Sequence, residues 1–353
     1  MAADKRSTIH DVARHAGVSA ATVSKILNGV TTVKQANVDR VRAAIAKLDY
    51  RADPVASELR QGQRKFIAAI VPELENSFFG ALLSGIEEAA EEAGYKVIFA
   101  TSRECEEREI EVVQRMHDWR VAGAIVVPVR SEKGQGANRL DALGISSVFV
   151  DRVSASARFD TVTADNYKAS ADVADFLVAQ GHRRLLVHCA TTNSQAITTR
   201  AEGFQARLRE RGVDAHCDEL LFQEDATDQR AELRRYFDAL DEARRPTAIF
   251  SLSQHSTLIV LSELRRRRWA IPDQVSLVGF DDADWMQTTW PSITAVCQPV
   301  ERMAKQAVQA LIARLNQVND TFPVQHLEQC ELRIRESTQL TAARRTVRHS
   351  MDR

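Results

Sequence analysis

The stretch TIHDVARHAGVSAATVSKILN, residues 8–28, carries the sequence signals of two short helices joined by a tight turn. Thr8 is a suitable N-cap for a first helix over 9–15, and Gly17 can end that helix because glycine adopts positive φ without steric cost. Ser19 can then cap a second helix. The first helix has one apolar face, made of Ile9, Val12, Ala13 and Ala16. Two helices with so short a connection cross steeply, which is the geometry that sets a helix into the DNA major groove.

The second helix is expected to present small and polar side chains on its outer side. Its N-terminal residues and the next residues on that side are Ala20, Ala21, Thr22, Ser24 and Lys25, and Asn28 closes it. A third amphipathic helix over 34–48 would complete a three-helix core. The alternative is a small helical domain that binds nothing, but small residues, hydroxyls and an outward Lys favour a groove in DNA over a partner helix.

The charged residues are unevenly distributed along the chain. The whole chain has a formal charge of −1, yet residues 1–65 hold 12 Lys and Arg against 6 Asp and Glu. Residues 341–353 hold 4 Arg and 1 Asp, which we interpret as a solvated basic tail, expected to be disordered. A basic head on an acidic body predicts contact with a polyanion at one end of the chain.

Length and composition point to a helical head followed by a large body, since 353 residues exceed one ordinary domain. The five Cys residues are scattered without a CxxC or a metal-ligand spacing, so we predict no metal and a reducing compartment. The N-terminal residues lack the apolar run of a signal peptide, and no segment approaches the roughly 20 apolar residues of a membrane helix. We therefore expect a cytoplasmic protein with no membrane contact.

From residue 66 onward, short apolar runs alternate with amphipathic stretches. The runs predict parallel strands over 66–72, 95–101, 123–129, 146–151, 184–190, 218–223, 247–252 and 276–281. Helices are predicted near 78–93, 106–118, 136–143, 167–180, 198–211, 228–243 and 254–268. The predicted fold is an all-α helix-turn-helix head plus an α/β body of two doubly wound lobes, with a ligand cleft between them. No GxGxxG or GxxxxGK[ST] motif supports a nucleotide cofactor, and none is predicted.

The chain resembles the lactose/galactose-repressor (LacI/GalR) family of bacterial transcription regulators over about residues 7–340. The motifs that carry the resemblance are VARHAGVSAATVSKILNG (12–29), AAIAKLDYR (43–51), PELENSFFGALLSGIEEAAEEAGY (72–95), FVDR (149–152), GHRR (181–184), RAEGF (200–204), VSLVGFDD (275–282) and QPVERMA (298–304). The resemblance implies a homodimer that binds a palindromic double-stranded operator through two heads. It also implies a body similar to type I periplasmic binding proteins that holds a small effector, such as a sugar or sugar acid.

The expected domains follow from the pattern and the resemblance together. They are a DNA-binding domain over 1–52, a hinge helix and linker over 53–65, an effector-binding core over 66–340 and the tail over 341–353. Within the core we assign 66–162 and 293–324 to the first lobe, and 163–292 and 325–340 to the second.

Specific DNA contacts are implied by the resemblance. In the family, the first two residues of the recognition helix and a basic residue six positions beyond the Ser cap choose the base sequence. Here these residues are Ala20, Ala21 and Lys25. Methyl groups pack against thymine methyls but do not hydrogen-bond to base edges, so Lys25 should carry most of the discrimination. Thr8, Ser19, Thr22, Ser24 and Asn28 complete the predicted contact set.

The segment 53–59 has the signals of a short helix, with Asp53 as N-cap and Pro54 in the first turn. A helix this short is marginal alone, so it should fold against its twin and the DNA. It corresponds to the family's hinge helix, in which Ala56 and Leu59 are expected to contact the minor groove, Leu59 as a wedge that kinks the duplex. The alternative is an ordinary linker. Asp53 and Glu58 depart from the family pattern and should weaken binding to phosphates.

The resemblance also implies the effector site. Its expected members are Phe78, Phe79, Asp151, Arg200, Ser253, Asp281 and Gln298. The Phe rings could stack on a ring or sugar face, while Arg200 and Asp281 could grip hydroxyls. Core packing of the two Phe rings and surface or lobe-bridging roles for the two charged residues are the alternatives. Ser253 and Gln254 stand where many relatives have Asn-Asp, so an ordinary hexose is not assumed.

Two other classes of function are alternatives. An enzyme could be assembled from His188, His255, Asp281 and Asp282, but the sequence has no nucleophile elbow or metal spacing, and we predict no enzymatic activity. A secreted binding protein would need a signal peptide and no DNA-binding head. The function predicted from the sequence is a ligand-responsive, sequence-specific DNA-binding repressor, and the residues are compatible with either an inducer or a corepressor.

Overall fold

A computed structural model describes residues 7–27, 33–50, 65–153, 158–189, 194–212, 216–221, 229–316 and 323–339. Contacts divide the chain into two compact units, Met1–Arg64 and Lys65–Arg353. We call the first unit the head and the second the body. The predicted hinge residues 53–64 and the tail 341–353 lie outside the described residues.

The head contains the three predicted helices. They are α1 (Ile9–Ala16), α2 (Ala20–Leu27) and α3 (Gln35–Lys47). Their apolar faces meet in a small core of Val12, Ala13, Ala16, Val23, Val41 and Ala44. Helices as short as α1 and α2 are marginal alone, so this shared core is what holds them in place.

The first lobe of the body is built on a six-stranded sheet in the order β11-β5-β4-β3-β1-β2, in which every pair is parallel. The strands are β1 (Phe66–Val71), β2 (Lys96–Thr101), β3 (Gly123–Val126), β4 (Ser146–Val150), β5 (Asp160–Ala164) and β11 (Gln325–Glu328). The helices of this lobe are α4 (Ser77–Glu92), α5 (Glu106–Asp118), α6 (Gln135–Ala142) and α12 (Val300–Leu315). Helices α4 and α12 cover one face of the sheet, and α5 and α6 cover the other.

The second lobe has a sheet in the order β12-β10-β9-β8-β6-β7, parallel except for the antiparallel β10–β12 pair. Its strands are β6 (Arg184–Cys189), β7 (His216–Leu221), β8 (Ala248–Ser251), β9 (Ser276–Phe280), β10 (Thr294–Cys297) and β12 (Glu331–Arg333). Its helices are α7 (Asn166–Ala179), α8 (Gln195–Glu210), α9 (Gln229–Asp238), α10 (Gln254–Arg267) and α11 (Asp284–Thr288), with a 3₁₀ turn at Glu242–Arg244. Helices α7 and α8 pack on one face, and α9, α10 and α11 on the other.

The chain crosses between the two sheets three times, and these crossings correct the predicted lobe boundaries. Strand β10 pairs with β9, so 294–297 belongs to the second lobe, in contrast to the predicted assignment of 293–324 to the first. Strand β11 pairs with β5, so 325–328 belongs to the first lobe and not to the second. The physical reason is strand pairing, which the hydrophobic pattern of an isolated short strand does not specify.

The crossings are tied to one another by hydrogen bonds. The backbone N–H of Asp165 donates to the Glu328 carbonyl at 2.8 Å, and the Gln329 side chain donates to the Asp165 carboxylate at 3.0 Å. Arg302, just after the middle crossing, donates to Glu328 at 3.1 Å and to the Gln329 carbonyl at 3.0 Å. The three connections therefore form one joint between the lobes.

Candidate functional site

The first candidate site is the surface formed by α1 and α2 of the head. Thr8 and Asp11 form a reciprocal capping box, in which the Thr8 N–H donates to the Asp11 carboxylate at 3.0 Å and the Asp11 N–H donates to the Thr8 hydroxyl at 3.3 Å. Gly17 ends α1 with φ of 64°, and its neighbour Val18 donates to the Ala13 carbonyl. The predicted turn between the two helices is confirmed at each of these residues.

Helix α2 begins with a hydroxyl cap. The Thr22 N–H donates to the Ser19 hydroxyl at 3.2 Å, and the two hydroxyl oxygens lie 2.9 Å apart. This cap satisfies one free N–H at the helix start and orients the first turn of α2. Thr8 and Ser19 therefore act as helix caps in the head, and their role as DNA contacts stays a prediction.

The outer side of α2 is accessible to a partner. Ala21 and Lys25 are exposed, while Thr22 and Ser24 are half-buried. Ala20 is also half-buried because its methyl group packs against the core of the head. The predicted contact residues Asn28, Ala56 and Leu59 lie outside the described residues.

The second candidate site lies at the carboxyl ends of the two sheets of the body. Asp281 directly follows β9, and its carboxylate lies at the centre of the polar contacts of this site. Its carboxylate accepts from the Gln298 amide at 2.7 Å and from the Gln254 N–H at 3.2 Å, and one oxygen lies 3.8 Å from the Arg200 guanidinium. The structure thus brings three predicted residues together: Asp281, Gln298 and Arg200.

Arg200, on α8, has hydrogen-bond partners on two of its guanidinium nitrogens. Nε donates to the Asn166 Oδ1 and Nη1 donates to the Leu252 carbonyl, both at 2.7 Å. The guanidinium carbon lies 3.6 Å from the centroid of the Phe280 ring. With only 3% of the residue exposed, the charge is compensated by Asn166, by Leu252 and by nearby Asp281.

Asp151 follows β4 and is the buried acid of the first lobe at this site. It is 7% exposed, and burial raises the pKa of its carboxyl, against the opposing charges of Arg200 and Arg152. Among the described residues its Oδ1 has no hydrogen-bond partner. Asp151 and Asp281 adopt φ of 67° and 81°, a region that non-glycine residues rarely occupy and that often marks functional positions.

The remaining predicted effector residues are placed differently. Ser253 is the N-cap of α10, and its hydroxyl accepts from the Ser256 N–H at 3.2 Å. Phe78 and Phe79 are 6% and 2% exposed in the core of the first lobe, with ring centroids 5.3 Å apart and the rings edge to face. Their role as effector contacts stays a prediction.

Several residues at this site were not predicted from the sequence. Asn166 starts α7 and accepts from Arg200, Gln254 starts α10 and contacts the first lobe, and Arg152 pairs with Glu104. The signal for Gln254 was present, because it stands where many relatives have Asp. Partners such as Asn166 and Glu104 come from distant parts of the chain, which the hydrophobic pattern does not bring together.

The chain is similar to known bacterial regulatory proteins. Residues 8–53 match the model of bacterial regulatory proteins of the lacI family, and residues 174–338 match the periplasmic binding protein-like domain. The chain is 31% identical over 337 residues to the HTH-type transcriptional regulator PtxS of Pseudomonas plecoglossicida, covering 94% of this chain and 96% of that protein. The chain belongs to the LacI family.

Solved structures of LacI-family members share this fold. The lac repressor dimer bound to operator and the anti-inducer ONPF is 22% identical, with a TM-score of 0.80 over 95% of this chain and 100% of that chain. A CelR–cellobiose complex is 25% identical, with a TM-score of 0.69 over 94% of this chain and 100% of that one. The predicted helix-turn-helix head and two-lobed body are confirmed, and this LacI-family protein is a transcriptional regulator.

The described residues contain neither a candidate membrane span nor a candidate metal cluster. No helix there is long and apolar enough to cross a membrane. No group of three or more His, Cys, Asp or Glu side chains in that part of the chain could hold a metal ion.

Proposed function

We propose that this LacI-family protein is a ligand-responsive repressor that binds a palindromic operator as a homodimer and holds a small, sugar-like effector between the lobes of its body. The observation that carries the proposal is the exposed pair Ala21 and Lys25 on a helix whose start is fixed by the Ser19 cap. A rigid helix with an outward-facing cation and small residues fits the major groove.

Base recognition depends on the chemistry of three residues in this proposal. Lys25 donates to guanine, and Ala20 and Ala21 contact thymine methyl groups. Because Lys lacks the bidentate fork of Arg, the operator preference should be softer than with Arg at this position. Thr8, Ser19, Thr22, Ser24 and Asn28 supply contacts that position the head. The hinge residues Ala56 and Leu59 contact the minor groove, with Leu59 as the wedge.

The homodimer is supported by the description of a relative. A twofold dimer would present two heads to a symmetric operator. One related solved structure is described as a repressor dimer bound to its operator.

The effector is proposed to bind where Asp151, Arg200, Asp281 and Gln298 converge, with Phe78, Phe79 and Ser253 nearby. Ligands of such two-lobed α/β folds bind at the carboxyl ends of the strands, which is where these polar residues lie. Two related solved structures are complexes of those proteins with cellobiose and with D-xylulofuranose. Closure of the lobes on the effector would change DNA affinity, and by linkage operator binding would change effector affinity by the same factor.

We propose that the body binds its ligand without transforming it. Of the residues considered for catalysis, Asp282 accepts from Arg335 at 2.6 and 2.9 Å and from Arg333 at 3.0 Å, so its carboxylate fastens the C-terminal strand. Burial lowers the pKa of His188 to about 3. A regulator that contacts chromosomal DNA would act in the cytoplasm.

The test uses the full-length protein and a pool of random duplexes. Selection by retention on the protein, followed by gel shift with the enriched duplex, should give a twofold-symmetric sequence that is retarded at lower protein concentration than a scrambled duplex. Equal retardation of the two duplexes would refute the proposed sequence-specific role.

A further inference from the structure

The second lobe carries a dense group of arginines at the amino ends of its strands, at the edge of the sheet opposite the candidate effector site. The segments 183–184, 234–245 and 263–269 hold 10 Arg against 4 Asp and Glu, and they contain no Lys. Residues 66–340 as a whole hold 31 Lys and Arg against 41 Asp and Glu. An otherwise acidic body therefore has one basic region, made of these three segments, which we call the arginine surface.

The three segments are joined by direct contacts. Arg184, the first residue of β6, donates from Nε to the Arg245 carbonyl at 2.8 Å. The Arg245 guanidinium carbon lies 4.9 Å from the centroid of the Trp269 ring. The Trp269 ring meets the Phe237 ring edge to face, with centroids 5.1 Å apart, and the Arg267 guanidinium carbon lies 5.4 Å from the Phe237 centroid. The arginines of the three segments are therefore neighbours on one surface.

A buried carboxylate offsets only part of this positive charge. Glu263, which is 5% exposed, accepts from Arg234 at 3.3 Å, from Arg266 at 2.6 Å and from Arg267 at 2.7 Å. One negative charge thus holds three guanidinium groups, and Asp238 gives a second carboxylate to Arg267 alone. The arginine surface keeps a surplus of positive charge after these pairs are formed.

Arg265 and Arg268 are exposed, and neither has a carboxylate partner among the described residues. Arg268 ends α10 with φ of 57°, a conformation in which glycine is usual. Cations in the last turn of a helix are favoured by the helix dipole, which is the simplest explanation for such a group. Arg184 and Arg245 lie outside any α-helix, so the helix dipole does not account for the whole arginine surface.

The chemistry of the arginine surface fits phosphate. The planar guanidinium fork matches two phosphate oxygens, whereas a lysine ammonium acts as a point charge. Cations spread over three segments suit an extended row of phosphates better than one small anion. Duplex DNA is such a row, with one charge per about 1.7 Å of its axis, and this protein is a DNA-binding transcriptional regulator.

We propose that the arginine surface contacts the phosphate backbone of a second DNA segment while the head holds the operator. The contact is independent of base sequence and weakens as the salt concentration rises. It goes beyond the proposed function, because it places a second DNA contact in the body and requires no effector.

The test measures capture of a second duplex by full-length protein that is already bound to DNA. Protein is loaded on the immobilised selected operator, unbound protein is washed away, and a fluorescent duplex of scrambled sequence is added. The wild-type protein should retain the fluorescent duplex at low salt and retain less of it as the salt concentration rises. Retention no greater than on operator without protein overturns the proposal, and it is the result expected if the arginine surface binds an acidic protein instead.

Two double variants test the unpaired arginines. Arg265→Gln with Arg268→Gln removes two phosphate contacts, so the slope of log affinity for the second duplex against log salt concentration should become shallower by about 1.8. Arg265→Lys with Arg268→Lys keeps both charges and should retain most of the capture. An unchanged slope in the Gln variant contradicts the proposal.

The first lobe offers a matched control. Arg115 lies in the last turn of α5, and Arg120 follows that helix with φ of 55°, so this pair has the same local setting as Arg265 and Arg268. Both control residues are exposed. Arg115→Gln with Arg120→Gln should capture the second duplex as the wild type does, and equal losses in the two Gln variants refute a specific role for the arginine surface. The amount of each protein held on the immobilised operator is measured in parallel, which separates a change in operator binding from a change in capture.

Discussion

Gln254, the first residue of α10, donates from its side-chain amide to the Oδ1 of Asn76, the N-cap of α4 in the opposite lobe. The Ser77 hydroxyl donates back to the Gln254 Oε1 at 3.3 Å. The Gln254 backbone N–H meanwhile donates to Asp281 at 3.2 Å. One residue therefore links the first lobe to the polar centre of the proposed effector site.

Replacement of Gln254 by Ala should favour the open arrangement of the lobes. The substitution removes both side-chain hydrogen bonds across the cleft and leaves the backbone contact to Asp281 in place. Small-angle scattering of the unliganded protein should show a larger radius of gyration than for wild type. Gln274→Ala, which removes a hydrogen bond within the second lobe, is the control and should not change the radius. An unchanged radius in Gln254→Ala would show that these contacts do not hold the lobes together.

Replacement of Lys25 by Ala should weaken operator binding by about 1–3 kcal/mol and weaken binding to random DNA much less. The reason is that a base contact discriminates between sequences, whereas a phosphate contact does not. Fluorescence anisotropy with the selected operator and a scrambled duplex measures both affinities. Lys47→Ala removes an exposed charge from α3 and should affect the two duplexes alike. Equal losses on both duplexes in Lys25→Ala would refute the base contact.

Replacement of Gly203 by Ala should destabilise the second lobe. A Cβ at Gly203 would lie 2.3 Å from the Tyr167 carbonyl oxygen and 2.8 Å from its Cα, where α8 crosses α7. The helices would have to separate, at a cost of about 1–3 kcal/mol. Gly80→Ala is the control, because a Cβ there meets no atom within 4 Å and should stabilise α4 by about 0.5–1 kcal/mol. Urea unfolding of both variants should shift the midpoint in opposite directions.

Glu109 should make stability depend on pH. Burial raises the pKa of this α5 carboxyl to about 7 from 4.5, although the Val129 N–H donates to it at 2.7 Å. The folded state therefore binds a proton more tightly than the unfolded state, so the free energy of unfolding falls as pH rises from 4.5 to 7 and stays lower above 7.

Glu109→Gln removes this titration. Relative to wild type, the variant should gain about 2–3 kcal/mol between pH 5 and pH 8, measured by urea unfolding at each pH. Glu88→Gln, in which the lost carboxylate was exposed, should show no such gain. A constant difference between Glu109→Gln and wild type across this range would mean that Glu109 titrates normally in the folded protein.

The sequence predicted the elements that have a strong local signal. The Thr8 cap, the Gly17 turn and the buried runs such as 184–189 and 276–280 each carry their structural preference in neighbouring residues. Strand β5, with the sequence DTVTA, was not predicted because it is short and half polar, and it is a strand because β4 and β11 lie on either side of it. Its stability comes from pairing and not from local propensity.

The residues of the candidate effector site also fall into a predicted group and a missed group. Asp281, Arg200 and Gln298 were predicted through the family resemblance, and the structure brings them together. Asn166 and Glu104 were missed, since each acts by pairing with an Arg that lies 34 or 48 positions away in the chain. Such long-range pairs are decided by the topology of the sheets, which the sequence pattern alone did not assign correctly for β10 and β11.

The three crossings have a consequence for biosynthesis. Helix α12 and strand β11, which cover and border the first sheet, are among the last elements to leave the ribosome, whereas β1 to β4 emerge early. During translation, one apolar face of that sheet would have α4 but not α12 to cover it while most of the second lobe is made. Nascent chains of this protein should therefore depend on chaperones for longer than their length suggests, and neither lobe can be obtained by a single cut in the gene.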